Sequence, residues 1–400
     1  MSGVEGFMYP NEVELQWSIL IVLYPYITGL VAGAFILASL VRVFNVHALQ
    51  PAYRLSLLAA MAFLIVAPLP LQLHLGHPER SFEMYLTPHR SSAMAMFGFV
   101  YLWYLLAVLL VEIWLDNRRD IVLIARRSTG LKRWCYRAMS LWVDNVSEES
   151  LRLDDKIGRI ITIIGIPSAF LLHGYVGFIF GSLKANPWWS TPLMPVVFVF
   201  SAMVSGIALI LLLYRLLALI RRRPVDMACL DTTAKFLFYC FIIDFTLEGL
   251  DLLHRVYEAD ESFQTLDFMV KSHLFISQIV LQLVFGGLLP IAMLGLPQVF
   301  TLSPRVRTGL YTFAAVATLI GIFAMRWNVV IGGQLFSKSF LGFTTYKVAF
   351  ATREGLLATI GLLILPFIIL FVLTRIFPES EDEPHPAVAP PVTTAQRSGG

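Results

Sequence analysis

The run WSILIVLYPYITGLVAGAFILASLV, Trp17 to Val41, contains no Asp, Glu, Lys or Arg. Coiled as an α-helix it would measure about 37 Å, and a bilayer's hydrocarbon layer is about 30 Å thick. Neither a period of 2 nor one of 3.6 organises its apolar residues, so lipid rather than water is the expected solvent. Similar runs recur along the chain near Leu55 to Leu75, Ser91 to Leu115, Gly158 to Leu183, Leu193 to Ile220, Thr233 to Tyr257, Ser272 to Leu296, Gly309 to Met325 and Gly355 to Ile376. With the first run they predict an all-α integral membrane protein of about nine transmembrane helices. The composition agrees: 57% of the 400 residues are hydrophobic and 14% charged, where soluble domains carry about 25% charged residues. Mean hydropathy is +0.73.

Lys and Arg close to span ends stay in the cytoplasm, so their positions set the orientation. Arg118, Arg119, Arg126, Arg127, Lys132, Arg133, Arg137, Arg152 and Lys156 follow span three, Arg221 to Arg223 follow span five, and Arg305 and Arg307 follow span seven. An even number of spans separates these loops, so all three place the same side inward. The opposite side carries Glu5, Glu12 and Glu14 at the amino terminus and the acidic loop Glu258 to Glu261. The amino terminus is therefore expected outside, with the first apolar run a retained span and not a signal peptide.

The expected organisation is an outer segment 1–16, a first four-helix bundle 17–183, a second bundle 184–330, an outer loop and ninth helix 331–376, and a disordered cytoplasmic tail 377–400. Within the cytoplasmic loop 116–157, Leu131, Trp134, Cys135, Ala138, Leu141 and Trp142 recur at helical spacing opposite Lys132, Arg133 and Arg137, predicting an amphipathic helix on the headgroups. Small residues recur in Tyr24-Pro-Tyr-Ile-Thr-Gly29-Leu-Val-Ala-Gly33 and in Phe200-Ser-Ala-Met-Val-Ser-Gly206. An internal repeat and ordinary close helix packing both account for them.

An ionisable group at bilayer depth costs about 2.5–3.5 kcal/mol on insertion scales, so each needs a partner, a cavity or a task. Tyr24 falls in the outer third of span one. His74, His77, Glu79 and Arg80 lie at the outer end of span two, His173 and Tyr175 in the outer half of span four, and Trp188 and Trp189 just beyond it. Asp244, Glu248, Asp251 and Arg255 form one stripe of span six, with Asp251 and Arg255 spaced to pair.

Histidine, tyrosine and carboxylate near one face suit a quinone headgroup, which wants a donor at each carbonyl, stacking rings and a proton acceptor. Tyr24, His77, His173, Tyr175 and Trp188 are the candidate quinone-binding residues; Glu79, Arg80, Asp244, Glu248 and Asp251 are the candidate proton relay. A structural polar seam in span six and interfacial aromatic anchors are the competing explanations. A haem would need matched axial histidines, for which only His173, His254 and His273 are placed, and Cys135, Cys229 and Cys240 lie too far apart in sequence to read as a zinc or iron–sulfur motif. A secondary transporter using Asp244 and Glu248, and a passive membrane anchor, are the alternatives from other functional classes. Nucleic acid is not an expected partner.

Trp17 to Gly33, His74-Leu-Gly-His-Pro-Glu-Arg80, His173-Gly-Tyr-Val-Gly177 with Trp188-Trp189, Pro195 to Gly206, and Arg326-Trp-Asn-Val-Val-Ile-Gly-Gly-Gln334 together resemble the NrfD/PsrC family of quinone-interacting membrane subunits. The resemblance runs from about Trp17 to Ile376. The ninth span and the length look closest to the DsrP and HmcC branch of sulfur-metabolism and transmembrane redox complexes. It implies two four-helix bundles in a bacterial cytoplasmic (inner) membrane and no haem, iron–sulfur cluster or metal in this chain. It also implies a menaquinone or ubiquinone site near the outer face of the first bundle, beneath a ferredoxin-like iron–sulfur subunit, with further membrane and cytochrome subunits. Tyr24 stands where polysulfide reductase membrane subunits are similar to one another in carrying a histidine. That departure leaves Tyr24, His77 and His173 as alternatives for the proton acceptor, with Glu79 relaying outward.

Overall fold

The computed structural model describes residues 4–89, 91–257 and 262–377. The acidic loop at 258–261 and the tail beyond 377 lie outside them. The architecture is all-α: α1 (Ile19–Arg42), α2 (Gln50–Val66), α3 (Met96–Arg127), α4 (Gly130–Met139), α5 (Glu148–Gly181), α6 (Met194–Ile220), α7 (Met227–Tyr257), α8 (Phe275–Val299), α9 (Pro304–Val330) and α10 (Leu356–Ile376). Eight helices among the described residues are long and apolar enough to cross a membrane. The expected sixth span is α7, 31 residues long. Length does not separate it from the eight; Lys235, Asp244, Glu248 and Asp251 do.

α1 is the hub. Ser18 caps it by accepting from the Leu20 amide, satisfying a donor that the first turn leaves open. Every residue of α1 except Leu40 and Arg42 is buried, so this all-round apolar helix is covered by its neighbours and not by lipid. It packs on α2, α5, α6 and α9, most extensively on α6. At that crossing Gly33 and Gly206 meet: a Cβ on Gly206 would lie 2.4 Å from the Gly33 Cα. The small-residue stretches of spans one and five are thus two sides of one contact, and close packing alone explains them. α8, whose first part widens into π-helical turns from Phe275 to Leu288, crosses α9 in the same manner, Gly286 against Gly321. α10 lies against α2.

The two ends differ in chemistry. At the inner end, cations are answered by carboxylates: Arg42 with Asp116, which also accepts from Tyr53 at 2.6 Å; Arg54 with Asp120 at 3.3 Å; Arg118 with Asp154; Arg307 with Asp231. At the outer end the chain closes a thin cap. β1 (Glu5–Gly6) pairs antiparallel with β2 (Gly342–Phe343), the Trp17 amide donates to Gln334 at 3.0 Å, Tyr346 accepts from the Ile19 amide at 3.0 Å, and Asn186 donates to the Gly333 carbonyl at 2.7 Å. The predicted amphipathic helix is α4, but it ends at Met139, so Leu141 and Trp142 leave the helical stripe for a non-helical turn. α4 packs back along α3.

Candidate functional site

Three clusters occupy the outer half of the molecule, and the five candidate quinone residues are divided among them and the loop above. The first cluster surrounds Tyr24, in the second turn of α1. Its ring meets Phe97 edge-on at 5.4 Å, Phe97 stacks on Tyr175 at 6.2 Å, and Tyr175 stacks on Phe178 at 6.0 Å. This aromatic ladder runs from a buried residue to an exposed one, since Tyr24 is 5% and Phe178 51% exposed. The buried Tyr24 hydroxyl has no hydrogen-bond partner among the described residues. A buried hydroxyl without a partner costs about 1–3 kcal/mol, so an unmet donor of this kind is a place for a ligand acceptor.

The second cluster centres on Arg326, fully buried in α9. Its guanidinium lies 3.0 Å from His173 Nε2 and donates to Ser201 Oγ at 2.6 Å, and its carbon sits 4.0 Å above the Phe198 ring. A guanidinium can only donate, so Nε2 accepts and the proton of the neutral imidazole belongs on Nδ1. Nδ1 faces Thr28 Oγ1 at 3.2 Å, and Thr28 donates on to the Tyr24 carbonyl at 3.1 Å. His173 is therefore engaged at both nitrogens. It holds the turn of α1 that carries Tyr24 instead of lining the same pocket.

The third cluster lies between α7, α8 and α9. Asp244 and Glu248 of α7 flank a cavity of about 10 Å³, also lined by Gln282, Gly286, Gly321 and Met325, which is room for about one water. Gln282 donates to Glu248 at 3.2 Å and accepts from Asn328 at 2.8 Å. The Asn328 carbonyl in turn accepts from Trp188 Nε1 at 2.8 Å, and Trp189 grips the next carbonyl, Val329, at 2.6 Å. Trp188 thus belongs to the end of α9, away from Tyr24. Asp251 accepts from Thr191 at 2.5 Å; its expected partner, the Arg255 side chain, is outside the described residues.

His77, Glu79 and Arg80 sit on the exposed outer loop between α2 and α3. His77 faces Glu79 at 2.9 Å, with its side chain 75% exposed. Arg80 makes two bonds to Glu83, at 2.8 and 3.0 Å, and holds that carboxyl below its ordinary value. His74, closer to the bundle, pairs with Glu354 at 2.8 Å. Partial burial pushes Glu354 up, but hydrogen bonds from Ser18 and His74 and the charges of His74 and Arg353 outweigh it and hold the carboxyl below its usual range. Among the described residues, no three His, Cys, Asp or Glu side chains gather as metal ligands do.

Comparison with known proteins places this arrangement. The family model described as "Polysulphide reductase, NrfD" matches residues 9–338. The chain belongs to the NrfD family. This NrfD-family chain is 35% identical over 205 residues to a selenate reductase subunit of Mesobacillus selenatarsenatis, covering 50% of this chain and 48% of that one. It is 27% identical over 316 residues to a protein of Halobacterium salinarum named as a dimethyl sulfoxide reductase membrane subunit, covering 76% and 66%. It is also 23% identical over 381 residues to the Hdr-like menaquinol oxidoreductase integral membrane subunit of Archaeoglobus fulgidus, covering 91% and 85%. The chain thus spans about half to two-thirds of the length of the first two relatives.

For an NrfD-family membrane protein, the residues that sequence reasoning underweighted are Arg326, Thr28, Ser201, Gln282 and Asn328. Arg326 was legible as a charge near the outer end of a span. Its partners come from α5, α6 and α7, and only the packed bundle brings them within reach.

Proposed function

We propose that this chain is the membrane subunit of a quinol-linked oxidoreductase complex in a bacterial cytoplasmic membrane. In this reading it binds menaquinol or ubiquinol near its outer face and exchanges electrons with an iron–sulfur partner subunit docked on that face. The observation that carries the site is the buried, unmet Tyr24 hydroxyl at the inner end of an aromatic ladder that opens on the lipid-facing side of α5. A headgroup entering from lipid would lie along Phe97 and Tyr175 with one oxygen at Tyr24. The relatives named as reductase and menaquinol oxidoreductase membrane subunits support the same class.

Quinol oxidation releases two electrons and two protons. In this assignment Tyr24 orients the headgroup and hydrogen-bonds its oxygen, Tyr175 flanks it, and His173 acts as a positioning residue through Thr28. Protons leave on the side where His77 and Glu79 are exposed. Asp244, Glu248 and Asp251 serve as a proton relay in the second bundle, with Arg326 balancing part of their charge. The partner supplies the iron–sulfur clusters, and further membrane and cytochrome subunits complete the complex.

The test is Tyr24→Phe in the assembled complex. Quinol oxidation should fall by about 10-fold or more, the effect of losing a buried hydrogen bond worth about 1–3 kcal/mol, while subunit stoichiometry stays intact. His77→Ala should fall far less. An unchanged rate in Tyr24→Phe overturns the site.

A further inference from the structure

The inner end carries a surface that the redox reading does not use. α3 runs on to Arg127, Gly130 turns the chain with φ +60°, and α4 returns along α3. α4 is tied at two points: Trp114 Nε1 donates to the Met139 carbonyl at 2.8 Å, and Tyr136 donates to the carbonyl of Ile376, the last residue of α10, at 2.8 Å. Beyond α4 the backbone takes a conformation that bulky side chains resist. Leu141 and Trp142 both lie in the left-handed region, at φ 53° and 58°. Amide bonds from Leu141 to Ala138 and from Trp142 to Arg137, both 3.0 Å, together with the buried Ser140 hydroxyl on the Arg137 carbonyl at 2.9 Å, hold this turn in place. Strain of this kind persists only where the surroundings over-determine it. Its effect is to leave Leu141, Trp142 and Val143 exposed beside exposed Leu131 and Trp134.

The charge around this patch has one sign. Between residues 126 and 144 stand Arg126, Arg127, Lys132, Arg133 and Arg137 against a single carboxylate, Asp144, which pairs with Arg137 at 3.4 Å. The Tyr136–Ile376 bond ties α4 to α10, and α10 carries an apolar stripe of its own. Ile360, Ile364, Ile368 and Phe371 are exposed along α10, and Arg375 closes the stripe with its guanidinium 5.1 Å from the Phe371 ring. An occupant must therefore be apolar for most of a membrane leaflet's depth, flanked by tryptophans where that part ends, and anionic beyond them. Trp at the headgroup level and Lys or Arg just beyond it are the usual anchors at a bilayer's cytoplasmic face.

We propose that an anionic phospholipid of the inner leaflet binds here. Its acyl chain lies along the α10 stripe, its phosphate among Arg375, Arg133 and Arg137, and Trp134 and Trp142 sit at glycerol depth. The site joins α4 to the end of α10 and stands independently of the quinone assignment.

The test uses the whole complex in nanodiscs of phosphatidylcholine, in which a fixed fraction of lipid is brominated near the headgroup on either phosphatidylglycerol or phosphatidylcholine. The signal is the tryptophan quenching lost when Trp134 and Trp142 are replaced together by Phe. Brominated phosphatidylglycerol should quench that component about two-fold more than brominated phosphatidylcholine at equal fraction, as enrichment at a basic site requires. A variant with Arg133, Arg137 and Arg375 each replaced by Gln should bring the two lipids level while quenching persists. Equal quenching by both lipids in the native complex overturns the proposal. So does the absence of quenching at both tryptophans, which would assign the surface to a protein partner. Both decisive comparisons use the native complex and the conservative Trp-to-Phe double variant, so they stand even if the arginine triple variant fails to assemble.

Discussion

Arg326 has no water to face, and the protein answers it from three other helices. Ser201 and His173 take its hydrogen bonds, Phe198 lies beneath its plane, and Asp244 and Glu248 set opposite charge beside it. Removing one member of a buried charge group leaves the others uncompensated, which commonly costs about 3–5 kcal/mol. Arg326→Met is therefore expected to lower the thermal stability of the complex by that order, read by thermal unfolding in detergent, and Arg326→Lys to lose less. A loss under about 1 kcal/mol would show that Asp244 and Glu248 are balanced without it. The sequence flags this residue as a charge inside an apolar run, and with it the polarity of Asp244, Glu248 and His173. It does not show that His173 is committed at both nitrogens, because Thr28 stands 145 positions away from it and Arg326 153. Nor does it separate Trp188 from Tyr24, since depth along a helix is legible from spacing while the face a residue shares with its neighbours is not.

Among the elements, the α1–α6 crossing is a tightly specified contact. A side chain at Gly206 would strike the backbone of Gly33 and Ala34, which cannot move aside as a flexible side chain can. Gly206→Val should cost more than the usual 1–3 kcal/mol of an overpacked core, about 4 kcal/mol or a failure to assemble, measured as folded yield and unfolding temperature. Gly249→Ala is the control: nothing lies within 4 Å of an added Cβ, and the better helix propensity should leave stability level or raised by about 0.5–1 kcal/mol. Equal behaviour of the two variants would remove the crossing's claim to specificity. Helix existence and order are legible here because apolar length is a strong signal. The helix α7 is harder, since its carboxylates mask its length, and the end of α4 is harder again. Leu141 and Trp142 keep the helical spacing in sequence, and only the hydrogen bonds that close the Ser140 turn take them out of the helix.

Across the whole molecule, the outer cap ties the amino terminus, the 182–193 loop and the 331–355 segment over the helix ends, with the His74–Glu354 pair at its edge. The Glu354 carboxyl is held below its ordinary value, so its contribution is present above the unfolded carboxyl range near pH 4.3 and is lost as pH falls through the lower folded value. Hydrogen exchange of the 346–356 backbone, after correction for intrinsic rates, is expected to accelerate as pH falls below about 5. Glu354→Gln should remove that acid-side change; an unaltered profile would show that another group governs it. The buried hub has a further consequence, in the order of synthesis. α1 is made ahead of the helices that enclose it, of which only α2 follows at once; α5, α6 and α9 are made more than a hundred residues later. Until then its glycine face stands without the helices that cover it. A chain interrupted before α6 therefore carries an unfinished surface that membrane proteases can recognise, and a faithful copy of the protein depends on the insertion machinery sheltering its first helix until its sixth arrives.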